Sequence, residues 1–433
     1  MIRLRIACLA GLIACACAAP RGALALDLEG ALRDVAAANP TLEARRAMVA
    51  AAQRRVAPAG AWEHPEVEAG VVNVPTTGRF DQDMMTMKLL GVSQRVPLFG
   101  ANGLARRAAR EAAAAEGAAA ALSHYELFGA AWEAYADAYY AGELERLADS
   151  HRGVVDRLVE SARARYESGN GRLEEMLGAE AERARALVDL ANFGGERRSA
   201  EARLDALRGA DPGAAADTLA PPPLADVPAA PGAWLAAVAP THPRLRELDA
   251  RVERDRSAAN ASRRAAWPDL ELRGAYGWRE PLEGVAPQDN LWSASVGIRV
   301  PLFVAQREGA EGAAMDALAR AGAAERRAAE LDLRRDVAAT HATAVAAARS
   351  VRLLADTVVT TQQRAMNAAW SAYRAGTTDL WRVFEIAHSV YAEEIALVRA
   401  RRDLAHAEAR MLALTGRGDL LGVALPAVKE GER

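Results

Sequence analysis

Four short stretches of the chain alternate apolar and polar positions with a period of two, which is the pattern of a half-buried β-strand. Residues 270–278 and 292–300 carry an apolar residue or glycine at every even position, with mostly charged or small residues between them. Residues 66–71 alternate valine or alanine with glutamate or glycine, and a further strand is expected before Pro97. One apolar face and one charged face suit the wall of a membrane β-barrel or an amphipathic sheet on a soluble core.

Two much longer stretches predict helices. Residues 101–168 contain no proline, and roughly 65 residues of helix measure about 100 Å. Residues 305–375 are similar. Aromatic residues in the first stretch recur at spacings of three and four, which predicts a coiled-coil seam used for packing rather than a ligand site. This stripe consists of Tyr125, Phe128, Trp132, Tyr135 and Tyr139.

Five short motifs recur in the same order at an offset of about 205 residues, which indicates two copies of one large unit. Each copy predicts a helix (about residues 28–59 and 233–265), two strands, a Pro-Leu-Phe corner and a long helical hairpin that turns at a Tyr-x-x-Gly motif. The matched segments are 38–42 and 241–245, 64–67 and 267–270, 95–99 and 299–303, 166–169 and 373–376, and 207–209 and 414–416.

The chain therefore divides into two structural repeats with short flanking segments. We assign residues 26–209 to the first repeat and 233–416 to the second. Residues 210–232 form a connector rich in proline and alanine, where proline excludes a continuous helix. Residues 417–433 form a C-terminal tail.

Residues 1–25 have the pattern of a signal peptide, with an arginine-bearing start, an apolar run and small residues at the cleavage positions. All three cysteines lie in this segment, so the processed chain would hold no disulfide and no thiolate metal site. A lipobox-like sequence ending at Cys15 is an alternative, which would leave a lipid-modified Cys15 as the first residue. Both readings predict export.

Composition and charge exclude several classes of function. The formal net charge of -3 gives no reason to expect a nucleic acid partner. The sequence contains no GxSxG nucleophile motif, no HExxH metalloprotease motif and no phosphate-binding P-loop, so we expect no enzymatic activity and no cofactor. The processed chain also has no stretch of about 18 consecutive apolar residues, which a membrane-spanning helix needs.

If the chain crosses a membrane, it must therefore do so as a closed β-barrel. Four strands are too few, because small barrels need about eight strands to close and open edges cannot face lipid. Cyclic assembly solves this problem when each subunit adds its strands to one shared barrel. The long helices would then continue the wall as a tube on one side of the membrane.

The ordered duplication resembles the TolC family of outer-membrane efflux proteins over essentially the whole processed chain, including features of its heavy-metal-efflux branch. The resemblance implies a mainly α fold with a small β part: a long antiparallel α-helical coiled-coil barrel and four strands per protomer in a trimeric, 12-stranded transmembrane β-barrel. It implies a homotrimer in outer-membrane lipid with a large periplasmic part. It also implies a periplasmic adaptor (membrane fusion) protein and an inner-membrane pump of the RND type as partners.

The resemblance also implies roles for particular residues. The two helix turns would form the periplasmic tip where the adaptor docks, although glycine there also has a purely structural explanation. These tip residues are Tyr166, Gly169, Asn170, Gly171, Arg172, Leu173, Tyr373, Gly376, Thr377, Thr378, Asp379 and Leu380. The corners that join barrel to helix would be at Pro97, Phe99, Pro301 and Phe303.

Acidic rings often line the closed aperture in that family. Glu385 stands where one such acid is expected, but Arg382 stands where another would be. Glu174 and Glu175 are the candidates in the first repeat. Symmetry would triplicate each carboxylate and attract cations, although a solvated helix face explains the same residues.

The transported substrate is the least determined property. Met84, Met85 and Met87 precede a strand, and methionine thioethers can bind Cu(I), but such clusters also serve as apolar filler. Heavy-metal cations and small toxic compounds therefore both remain open. A type I protein secretion outlet would share the same tunnel, and an exported structural coiled-coil protein would share the helices but not the paired strands.

Overall fold

The computed structural model describes residues 25–213, 218–225, 227, 230–238, 240–282, 286 and 288–426. The predicted signal peptide lies outside the described residues apart from its last residue, Ala25, and Cys15 lies outside them too. Within them, no helix combines the length and the apolar character needed to cross a membrane.

The element order repeats as the sequence predicts. The strands are β1 (Glu66–Val72), β2 (Met87–Val96), β3 (Asp269–Arg279) and β4 (Leu291–Arg299). The helices of the first half are α1 (Leu28–Ala38), α2 (Pro40–Arg54), α3 (Val56–Ala59), α4 (Ala101–Glu167) and α5 (Leu173–Leu207). Those of the second half are α6 (Gly232–Ala237), α7 (Pro243–Ala265), α8 (Glu308–Leu353), α9 (Thr360–Arg374) and α10 (Leu380–Thr415).

The four strands form one antiparallel sheet in the order β1-β2-β3-β4. The central pair, β2 and β3, comes from the two different repeats and is in register from Met87 opposite Arg279 to Val96 opposite Leu270. The duplicated halves are thus joined by a continuous hydrogen-bonded ladder. The predicted mainly α fold with four strands is confirmed.

Each repeat carries a long helical hairpin. The predicted first long helix is confirmed as the 67-residue α4, which turns back as α5. The predicted second long helix is less regular, because a π-helical segment, Leu354–Val359, separates α8 from α9. Such a segment inserts an extra residue per turn and shifts the face that the following helix presents.

The two helices predicted before the strands are each interrupted. The first breaks at Asn39 before Pro40, and the second stops at Ala237 and resumes at Pro243, directly after His242. Proline is accommodated at the first position of a helix but disfavours helical geometry in the residue before it. The sequence repeat had placed these prolines correctly, and their consequence for the helix was missed.

The two breaks are built alike. Asn39 accepts a hydrogen bond from the Thr41 backbone N–H and donates from Nδ2 to the Leu207 carbonyl at 2.8 Å. His242 accepts from the Arg244 backbone N–H at Nδ1 and lies 2.9 Å from the Leu414 carbonyl through Nε2. Each side chain therefore caps one helix and fastens it to the end of its repeat's return helix.

The largest core cluster lies where α1, α4 and α10 meet the connector. Three of the five predicted stripe residues, Phe128, Trp132 and Tyr135, are fully buried in it. The Tyr135 hydroxyl lies 2.7 Å from the Leu26 carbonyl and 2.6 Å from that of Ala220. The stripe thus packs, as predicted, and anchors both the N-terminal segment and the connector.

Candidate functional site

One face of the sheet is mainly apolar and exposed, with Lys88 and Gln94 of β2 as polar members. Residues directly opposite in an antiparallel ladder point to the same side, so the register places the apolar positions of all four strands together. Trp292 at 78%, Val67 at 69% and Val296 at 66% are the most exposed members. The face also contains Val71, Leu90, Val92, Leu272, Tyr276, Trp278 and Ile298.

The opposite face carries charges at the end nearest the helices. Arg95 in β2 bonds to the Asp269 carboxylate at 2.6 Å and 2.9 Å, and to Glu63 at 2.9 Å. Arg299 is paired opposite Asp269 in the ladder, so it lies on the same face. One surface of the sheet is therefore suited to lipid or an apolar partner and the other to water.

Both outer edges of this sheet are open. Within the part of the chain that the structure describes, β1 and β4 each pair with only one strand. An apolar sheet with an open edge is a template for pairing with another strand. The four strands are therefore fully paired with one another, but the two outer edges leave the sheet open rather than closed into a barrel.

The predicted corners follow the strands directly. At the first, the Phe99 ring packs against Trp267 with centroids 4.9 Å apart, and Gly100 adopts a φ of 76° as α4 begins. At the second, Phe303 is 66% exposed. Pro97 comes immediately after β2, where its missing N–H ends the ladder, and Pro301 follows β4 one residue later, after Val300.

The two predicted tip turns share one backbone geometry. Gly169 and Gly376 have φ values of 75° and 72°. In the first turn the Gly169 N–H bonds to the Tyr166 carbonyl and the Asn170 N–H to that of Arg165, at 3.0 and 2.9 Å. The second turn repeats this pattern at Gly376 and Thr377. Both are Schellman turns, which explains the Tyr-x-x-Gly repeat structurally.

The tip residues differ in exposure after the turns. Tyr166 and Leu173 are 41% and 48% exposed, whereas Leu380 is buried. Asp379 caps α10 by accepting from the Arg382 backbone N–H at 2.9 Å. Arg172, Asn170 and Thr377 are exposed, while Gly171 and Thr378 are half-buried.

Arginine accompanies the predicted aperture acids. Glu174 is 2.5 Å from Arg172, and Glu385 is 2.5 Å from Arg382. All four side chains are more than half exposed, so these pairs contribute little stability but largely cancel the local charge. Glu175 is half-buried in the first turn of α5.

Contacts between the two hairpins near the tip were missed by sequence reasoning. Ser161 Oγ lies 3.0 Å from the Tyr373 hydroxyl, which joins α4 to α9. The Trp381 ring covers Gly178 of α5 so closely that an added Cβ would lie 3.1 Å from it. The sequence repeat does not predict these contacts. Each joins a residue of the first repeat to a residue of the second, so it has no counterpart elsewhere in the chain.

The methionine cluster lies at the far end of the strands from the helices. Met84 and Met85 are half exposed in the loop between β1 and β2, and Met84 Sδ lies 3.2 Å from Gln288 Nε2. Met87 instead packs against Gly277 on the charged face. No group of three or more His, Cys, Asp or Glu residues suited to a metal ion occurs within the described ranges.

Comparison with known proteins gives one consistent result. The family model described as outer membrane efflux protein matches residues 31–210 and 234–417, which is most of the chain. The outer membrane efflux protein BepC of Brucella suis biovar 1 (strain 1330) is 24% identical over 303 residues, or 69% of this chain. The alignment spans 65% of that relative's own length.

Solved structures share the fold. The MtrE outer membrane channel of Neisseria gonorrhoeae, described in its open state, superposes with a TM-score of 0.75 and 19% identity, covering 90% of this chain and 89% of MtrE. The outer membrane protein VceC of Vibrio cholerae gives a TM-score of 0.70 and 17% identity, covering 92% and 97%. The sheet, the duplicated hairpins and the family match together show that this chain belongs to the outer membrane efflux protein family and is an outer-membrane protein.

Proposed function

We propose that this chain is one subunit of a homotrimeric outer-membrane channel that acts as a passive conduit in a tripartite efflux system. The observation that carries the proposal is the sheet, which has an exposed, mainly apolar face and two open edges. Neither feature is tolerable in water on an isolated subunit. Both are satisfied when β4 of one copy pairs with β1 of the next in lipid.

The strand count supports three copies. Four strands cannot close a barrel, whereas twelve from three copies close one with an open lumen. The charged face, with Arg95, Asp269 and Arg299, would then line a wet lumen. The 67-residue α4 is about 100 Å long, so the hairpins would extend the conduit as a tunnel well beyond the membrane into the periplasm.

The tip is the proposed docking surface for a periplasmic adaptor, which would link the channel to an inner-membrane pump of the RND type. Exposed apolar side chains beside two rigid turns support this role, with Tyr166 and Leu173 in the first turn and Trp381 just after the second. The pump supplies the energy, and the channel subunit does no covalent chemistry.

The ion pairs with arginine change the charge that we propose for the aperture. Glu174, Glu175 and Glu385 remain the proposed aperture acids, with Arg382 beside them. Since Arg172 and Arg382 each hold one of these acids, we expect a ring of ion pairs rather than a bare carboxylate ring. Such a ring favours cations much less than unpaired carboxylates do.

We expect small toxic compounds rather than metal cations as substrates. The thioethers of Met84 and Met85 lie in an exposed loop, and Met87 packs against backbone, which is filler rather than a built metal site. Protein secretion uses the same architecture, and the partner pump decides between the two.

Two measurements test the conduit. Native mass spectrometry of detergent-extracted protein should give a mass near three processed chains, and the trimer should conduct ions in a planar bilayer. A monomer, or a trimer that does not conduct, contradicts the proposal.

A matched pair of variants tests which sheet face meets lipid. Val296→Arg places a charge on the apolar face near the middle of β4, where it should cost about 2–4 kcal/mol in lipid and reduce the yield of assembled trimer. Ser293→Arg places the same charge on the other face of the same strand and should assemble normally. Equal yields from the two variants would contradict the assignment of faces.

A further inference from the structure

Three residues form a connected group between the two hairpins. His151 of α4 stacks on Tyr391 of α10, with ring centroids 3.9 Å apart and planes 2° from parallel. The Tyr391 hydroxyl bonds to Asp189 Oδ2 of α5 at 3.2 Å. We call His151, Tyr391 and Asp189 the hairpin triad.

The triad lies between two apolar clusters. Tyr391 is 4% exposed and packs with Leu144, Ala148 and Phe193 on one side. Toward the tip, α4 and α10 continue through a second cluster that includes Leu158. The hairpin triad is therefore a polar and titratable group within an otherwise apolar interface between the two hairpins.

A half-open cavity of about 200 Å³ adjoins the triad and gives water access to it. The charged and titratable groups that face His151 are Glu182 and Asp189 from α5 and His388 and Glu385 from α10. Glu182 forms an ion pair with Arg185, and Glu385 forms one with Arg382.

The electrostatics of this site favour a neutral imidazole. Burial lowers the pKa of His151 below its usual value, and the nearby His388 lowers it further. Asp189 and Glu182 act in the opposite direction but do not reverse the shift. Because the packed arrangement disfavours the charged ring, charging the ring must favour arrangements in which it is hydrated.

We propose that His151 is a proton-responsive latch, which holds the second hairpin against the first while its ring is neutral and releases that contact when the ring becomes charged. Acidification then shifts the population toward a tip in which α10 has moved away from α4. The consequence for transport rests on the proposed conduit function, whereas the movement itself does not.

Hydrogen–deuterium exchange of the assembled protein measures the movement directly. Amides of α10 around Tyr391 should exchange about fivefold faster at about pH 5.5 than at about pH 7.5, after correction for the intrinsic pH dependence. Amides of the β2–β3 ladder, which is remote from the triad and contains no histidine, should show no such change and serve as the internal reference. Equal corrected rates at both pH values in α10 would overturn the latch.

Four variants assign the response to His151. His151→Phe keeps a flat ring against Tyr391 without a titratable group, so the acid response of α10 should disappear. His151→Gln serves if the phenylalanine variant does not assemble. His388→Gln removes a neighbouring charge that disfavours ionisation, so the midpoint of the response should move to higher pH. His64→Gln removes an exposed histidine elsewhere and should leave the response intact.

A full acid response in both His151 variants would overturn the proposal. Conductance recorded in parallel separates it from the conduit function. An exchange response in a trimer that never conducts supports the latch and rejects the conduit. A conducting trimer without the exchange response rejects the latch and leaves the conduit standing.

Discussion

Glu408 is buried without a positive partner among the residues that the structure describes, and its replacement by glutamine should stabilise the protein in a strongly pH-dependent way. The side chain is 0% exposed in α10, and its Oε1 accepts a hydrogen bond from the Ala225 backbone N–H of the connector at 2.8 Å. Its Oε2 has no hydrogen-bond partner within the described residues. Burial raises the pKa of Glu408 to about 8 from an ordinary value of 4.5.

The magnitude follows from linkage. Between the two pKa values the folded chain binds a proton that the unfolded chain does not, so stability falls as pH rises through this window. At about pH 7 the cost is about 3 kcal/mol, since each pH unit above 4.5 contributes about 1.4 kcal/mol. Above about pH 8 the folded chain also ionises, and the cost levels off near 5 kcal/mol.

Glutamine keeps the oxygen that accepts from Ala225 and never ionises. Glu408→Gln should therefore raise the free energy of unfolding by about 3 kcal/mol at about pH 7 and by about zero near pH 4.5. Urea unfolding in detergent at both pH values measures the difference. Glu160→Gln, at an exposed position of α4, is the matched control and should have little effect.

The reasoning is refuted if Glu408→Gln has the same effect at both pH values. It is also refuted if the substitution destabilises the protein at about pH 7, since that would mean that the folded state uses the ionised carboxylate.

Three further predictions concern the turns and joints. Gly376→Ala should cost about 1–2 kcal/mol in thermal unfolding from its positive φ alone, because nothing crowds that site, whereas Gly416→Ala should cost clearly more because its Cβ would meet the Tyr125 ring; equal costs would contradict this. Burial lowers the pKa of His242, so this residue should make stability fall as pH drops below about 6.5, and His242→Asn, which copies the first repeat, should reduce that fall in a series of melts. Tyr373→Phe should cost about 1 kcal/mol of unfolding free energy by removing the bond to Ser161, and an unchanged denaturation midpoint would show that this bond contributes nothing.

Much of the fold could be predicted from periodicity and duplication. The alternation at residues 270–278 and 292–300 gave the strands and their apolar face, and the proline-free run from residue 101 gave α4 almost to its last residue. These features depend on local sequence and on the internal duplication of the chain. The Schellman turns were predictable for the same reason, since a positive φ at the end of a helix requires a glycine that can be seen in the sequence.

Contacts between a residue of the first repeat and a residue of the second were not predictable from the sequence. The stack of His151 on Tyr391 and the cover of Trp381 over Gly178 depend on how two hairpins lie against each other. The pairing of the candidate acids with Arg172 and Arg382 depends on rotamers at the tip. The tip and aperture assignments remain predictions, because no contact within one subunit can show what binds there.

The pairing of β2 with β3 has a consequence for biogenesis. Lys88 and Glu280, which face each other near the end of this ladder, are 192 residues apart. While the chain is being translocated, the hairpin of β1 and β2 must wait, with the edge of β2 unpaired, until nearly two thirds of the polypeptide has emerged. Such late, distant closure is slow and prone to aggregation, so we expect export of this protein to depend on a holding chaperone.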